Sequence, residues 1–89
     1  MKLSEKNALQ YVTEMIALMS FGWFLDSSLS FKLRISEEKI RQIKQIANKG
    51  GFLRGNTITE LGNEYLKALR PDEQEKVWNK FYENYRRVI

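Results

Sequence analysis

The chain has 89 residues, a net charge of +4, 43% hydrophobic and 29% charged residues, and neither cysteine nor histidine. That size makes one small domain, and the composition is that of a globular chain rather than a disordered one. The missing thiols and imidazoles exclude a disulfide framework and the usual zinc ligands, so no metal or cofactor is expected.

The stretch from Met1 to Asn7 is polar and lacks the apolar core of a signal peptide, which points to a cytoplasmic protein. A first helix is expected over residues 5–20, capped by Ser4. Its apolar residues Ala8, Leu9, Tyr11, Val12, Met15, Ile16, Leu18 and Met19 cover an arc of roughly 180°, wider than one buried face needs. Tyr11, Met15 and Leu18 form the second apolar side. The longest greasy stretch, Met15 to Leu25, is 11 residues and is broken by Ser20 and Gly22. A membrane span needs about 20, so the chain reads as soluble.

After Gly22, Trp23-Phe24-Leu25 reads as a short extended segment. Asp26 is expected to cap a brief helix holding Leu29, Phe31 and Leu33, and Arg34-Ile35 turns into Ser36. Ser36 is a good cap for a helix over residues 37–49, with Glu37 and Glu38 in the first turn, where the helix dipole favours negative charge. Ile40, Ile43, Ile46 and Ala47 make its buried stripe. The opposite stripe is Glu38, Arg41, Gln42, Gln45 and Lys49, flanked by Lys39 and Lys44. Gly50 is expected as the left-handed C-cap.

Phe52-Leu53-Arg54 and Thr57-Ile58 flank Gly55-Asn56, where glycine at the first central position suits a type II′ hairpin. Thr59 caps a further helix with Leu61, Tyr65, Leu66 and Leu69 inward, stopped by Arg70-Pro71. Asp72 and Glu75 have the spacing of an N-cap and its third-position partner. The last helix runs from there to Ile89. Its apolar residues Val77, Trp78, Phe81, Tyr82, Tyr85, Val88 and Ile89 occupy an arc of roughly 140°.

Charge is unevenly placed. Acids and bases cancel before Trp23 and after Ile58, and the whole excess lies between, where Lys32, Arg34, Lys39, Arg41, Lys44, Lys49 and Arg54 stand against Asp26, Glu37 and Glu38. This is the footprint of a polyanion-binding surface. The stripe on helix 37–49 has two readings, a solvated face or a reader of duplex DNA. The confined charge and the interleaved glutamine and asparagine favour DNA, since such side chains reach base edges and phosphates in a major groove. Arg54 stands equally as a phosphate or minor-groove contact and as a strand-end charge. Lys32 and Arg34 are balanced between backbone anchors and plain surface.

Leu29-Ser30, then Leu33-Arg34-Ile35-Ser36-Glu37-Glu38, then Ile40 and Ile43, resembles the helix-turn-helix signature "Leu-Ala, two residues, Leu-Gly-Ile-Ser" of winged helix-turn-helix domains. Ser30 takes the place of the small residue that lets two helices approach, and Arg34 that of the turn glycine, which implies a wider turn or a phosphate contact. Gly50-Gly51-Phe52-Leu53 is similar to the "Gly-Leu-Ile" that leads into the wing. Thr59-Glu60-Leu61-Gly62, with Tyr65-Leu66, resembles the "Leu-Thr, two residues, Gly" that leads out of it. The resemblance covers residues 5–70, with small MarR-like or PadR-like regulators and compact archaeal or viral winged-helix proteins as the nearest analogues. It implies a mainly α fold with a small β-hairpin: a winged helix-turn-helix domain over residues 1–70 and a C-terminal dimerisation helix over residues 71–89.

The function implied is a double-stranded DNA-binding regulator. Lys39, Arg41, Gln42, Lys44, Gln45 and Lys49 would lie in the major groove, and Lys32, Arg34, Arg54 and Asn56 on the backbone or at the wing. The two-residue wing tip favours backbone contact over base reading. A homodimer is expected through Tyr11, Met15, Leu18, Val77, Trp78, Phe81, Tyr82, Tyr85 and Val88, because residues 5–70 leave little core to receive the last helix. The competing arrangement folds that helix back onto the first within one chain. A protein–protein module and an architectural DNA-coating protein remain as alternative functions. Catalysis is disfavoured: hydroxyl nucleophiles lack a histidine base, the carboxylate pairs sit in helix first turns, and no glycine-rich phosphate loop is present.

Overall fold

The computed structural model describes the backbone of residues 5–88 and the side chains of residues 9–87. Ser4 and Ile89, and the side chains of Ala8 and Val88, lie outside the described residues. The elements are α1 (Glu5–Ser20), α2 (Asp26–Leu33), α3 (Glu37–Gly50), β1 (Leu53–Arg54), β2 (Thr57–Ile58), α4 (Glu60–Lys67) and α5 (Pro71–Val88). This is the expected mainly helical fold with one antiparallel hairpin and an added C-terminal helix. Two compact units, residues 1–46 and 47–89, divide within α3.

In the first unit, Val12, Met15, Ile16 and Met19 of α1 are buried at helical spacing, with Leu29 of α2 and Ile40 and Ile43 of α3. Met15 is therefore core, and only half-buried Tyr11 and Leu18 remain of the expected second side of α1. The segment 23–25 forms no strand, because the two strands present pair only with each other. Leu25, in extended backbone, is the residue before α2, and Asp26 is the first residue of the helix rather than its cap. The carboxylate of Asp26 is engaged elsewhere: Lys44 Nζ lies 2.6 Å from its Oδ1 and donates to the Phe24 carbonyl at 2.9 Å.

The turn between α2 and α3 is tight, not widened. Arg34 itself adopts the left-handed conformation (φ 56°, ψ 42°) that its glycine counterpart would take. A left-handed L-residue costs roughly 1–2 kcal/mol. Bonds from the Arg34 and Ile35 amides to the Ser30 carbonyl, and from Ser30 Oγ to the Ile35 carbonyl at 2.5 Å, hold it there. Ser36 caps α3 as expected, its Oγ accepting from the Lys39 amide at 3.2 Å.

In the second unit α3 continues through Gly50, and Gly51 (φ 87°) is the left-handed residue, one position later than expected. Phe52 N–H then closes onto the Ala47 carbonyl at 2.9 Å, a Schellman end. Gly50 is required for another reason: a Cβ there would lie 2.0 Å from the Phe81 ring. Leu53 pairs with Ile58 and Arg54 with Thr57, and Gly55 (φ 63°) is the only tip residue with positive φ, as the type II′ turn requires. Thr59 accepts from the Gly62 amide at 3.2 Å and donates to the Gly51 carbonyl.

The last helix departs most from expectation. It starts at Pro71, a favoured first helical residue, so Asp72 lies inside its first turn instead of capping it. α4 stops at Lys67, which leaves Leu69 in the connection, 89% exposed rather than inward. α5 is received within its own unit: Val77 and Phe81 are buried, and the Trp78 ring centroid is 5.2 Å from Phe52 and 4.9 Å from Tyr65. Phe81 lies 4.6 Å from Phe52, and Asn84 Nδ2 donates to the Gly50 carbonyl at 3.1 Å. The premise that little core awaited this helix is corrected, because Phe52 and Tyr65 supply one.

Candidate nucleic-acid interface

α3 carries the expected stripe. Ile40, Ile43 and Ala47 anchor one side, so helical rotation brings Glu38, Arg41, Gln42, Gln45 and Lys49 to the other, and all five are exposed. Lys39 is half-buried. Arg41 and Lys49 form no ion pair among the described residues, so their charge is available to an external anion.

Lys44 departs from the stripe. Its side chain is only 13% exposed and is held by Asp26 and the Phe24 carbonyl. It ties α3 to the start of α2, a role no spacing in the sequence distinguishes from that of its basic neighbours. Lys32 and Arg34 are exposed, with Lys32 Nζ 4.6 Å from the Trp23 ring centroid, a cation–π contact. Arg54 and Asn56 are exposed at the hairpin.

One residue absent from the sequence reading belongs to this surface. Asn48, exposed on α3 between Gln45 and Lys49, accepts from the Gly55 amide at 2.9 Å and donates to the Gly55 carbonyl at 3.4 Å. The helix thereby grips the tip of its own wing through both groups of one peptide residue. The only trace in the sequence is an asparagine in the last turn of the helix.

The residues expected at a dimer seam are differently placed. Met15, Val77 and Phe81 are buried within the chain, and Tyr11, Leu18, Trp78, Tyr82 and Tyr85 are half-buried. The side chain of Val88 lies outside the described residues. Among the described residues no group of three or more acidic, histidine or cysteine side chains is placed to hold a metal, and no helix is long and apolar enough to cross a membrane.

A family model described as wHTH-PRTase associated matches residues 13–84, from α1 to the last turns of α5. No curated protein and no solved structure matches the chain.

Proposed function

Because the chain belongs to the wHTH-PRTase associated family, of winged helix-turn-helix domains, we propose that it is a non-catalytic double-stranded DNA-binding protein, a transcriptional regulator acting in the cytoplasm. The observation that carries this reading is the exposed stripe of Arg41, Gln42, Gln45 and Lys49 on α3, opposite buried Ile40, Ile43 and Ala47 and half-buried Ile46. α3 enters the major groove, where Arg41, Gln42 and Gln45 meet base edges. Lys39, Lys49, Arg54 and Asn56 hold phosphates. Lys44 is not part of this surface, since its ammonium is already taken up by Asp26. The motif likeness to MarR-like and PadR-like regulators supports the regulatory reading.

Selection of bound duplexes from a random pool, followed by titration across salt, tests it. An enriched sequence and a steep log–log salt slope are expected, the slope reporting the phosphates neutralised. Binding without enrichment makes the protein a DNA coat, and no binding removes DNA from its function.

The protein works as a homodimer in this reading. The half-buried tyrosines Tyr82 and Tyr85, on the later turns of α5, support it, because aromatics at that partial exposure suit an interface. Two copies of α3 would then meet a palindromic site with half-sites about 34 Å apart, or a multiple of that.

A further inference from the structure

Two of the most exposed large apolar side chains are aromatic and lie in the first unit. Phe21, just past the end of α1, is 82% exposed, and Phe31, on α2, is 83% exposed. Neither belongs to the stripe of α3, and a phenyl ring offers no hydrogen bond to a phosphate. Single exposed apolar residues are ordinary, but these two border one continuous surface. Phe21, Leu33, Lys32 and Arg34 line one shallow depression. Phe31, Ile35 and the same Lys32 and Arg34 line its neighbour. Trp23 joins the surface through its contact with Lys32.

The surface is thus two hollows sharing a pair of cations, one mainly apolar around Phe21 and Leu33 and one of mixed lining, in which Phe31 and Ile35 stand beside Ser30 and Ser36. Among the described residues, neither Lys32 nor Arg34 forms an ion pair, and Glu14 is the only acid in the lining of either hollow. That chemistry selects among occupants. A second copy laid on the same surface about a two-fold axis would set Lys32 and Arg34 against their own mates, and like charges juxtaposed are unfavourable. A duplex backbone would neutralise the cations and leave both phenyl rings in water. A protein segment with apolar side chains for the hollows and carboxylates for the shared cations satisfies every group.

We propose that the corner formed by the end of α1 and the outer face of α2 is a docking surface for an acidic, apolar segment of a partner protein, with Phe21 and Phe31 as anchors and Lys32 as the charge that fixes register. Anchors of this kind dominate interfaces, because aromatic residues bury a large area at low entropy cost. None of the residues lining the two hollows belongs to the α3 stripe, and peptide binding there is read whether or not that stripe binds DNA.

Random 12-residue peptides displayed on phage, selected against the full chain, supply the probe. The enriched peptides are expected to combine leucine, phenylalanine or tryptophan with aspartate or glutamate. Fluorescence polarisation with the most enriched one should show at least a tenfold loss of affinity in the Phe21→Ser/Phe31→Ser double variant. That variant should keep the parent's melting temperature, because both rings are exposed. Lys32→Glu should reverse the charge preference of the selected peptides. Failure of any peptide to enrich, or equal binding by the double variant, overturns the proposal. Displacement of the peptide by duplex DNA assigns the surface to nucleic acid and also overturns it. A fall in solution mass in the double variant assigns it to a second copy, with the same consequence.

Discussion

Two basic residues one turn apart on α3 end in different environments. Arg41 is exposed and without an ion pair among the described residues, whereas Lys44 spans to Asp26 and the Phe24 carbonyl. Their variants should separate accordingly. Arg41→Ala or Gln45→Ala is expected to relax base preference at individual positions by about 1–3 kcal/mol, read by repeating the duplex selection. Lys49→Ala should weaken all duplexes alike and lower the salt slope by about one. Lys44→Ala should leave that slope where it is. Its cost falls on folding, about 1–3 kcal/mol for two charge-assisted hydrogen bonds lost, read from urea unfolding. A lowered slope with unchanged stability would return Lys44 to the DNA surface.

Among the elements, the wing is the one whose tip is held by a side chain of another element, Asn48 of α3. Its strands are two residues each, too short to hold a geometry by pairing alone. Asn48 adds a restraint at the tip by clamping both backbone groups of Gly55. Asn48→Ala should therefore free the tip, raise amide exchange at Gly55 and lower duplex affinity several-fold while the melting temperature moves little. Exchange at Gly55 equal to the parent's would show that the hairpin holds itself.

For the whole molecule, the open quantity is its mass in solution. A dimer must now be built from partly exposed side chains, since Val77 and Phe81 are spent on the core with Phe52 and Gly50. Sedimentation equilibrium at tens of micromolar is expected to give twice the 10.6 kDa chain mass. A Tyr82→Asp/Tyr85→Asp variant should sediment as the monomer with weakened DNA binding. A parent that is itself monomeric removes the dimer and the palindrome together.

Local patterns in the chain determined most of the elements. The isoleucine spacing and Ser36 define α3, Thr59 starts α4, and Gly55-Asn56 sets the hairpin register, because each depends on backbone preferences and side chains a few residues apart. The exposed stripe of α3 follows from the same periodicity. Tertiary structure decided what depends on partners distant in sequence. Lys44 is taken by Asp26, 18 positions earlier, and Asn84 by Gly50, 34 positions earlier. α5 finds its core in Phe52, a lone aromatic in the loop before β1 with no periodicity to announce it, and in Tyr65, whose inward face was legible without the helix it would receive. Phe31 shows the reverse. It is as apolar as Leu29, but it stands two residues from that buried side chain, about 200° round the helix, and is turned to solvent. Hydrophobicity sets a side chain's tendency to be buried, and only the packed chain decides which apolar surface is left over for a partner.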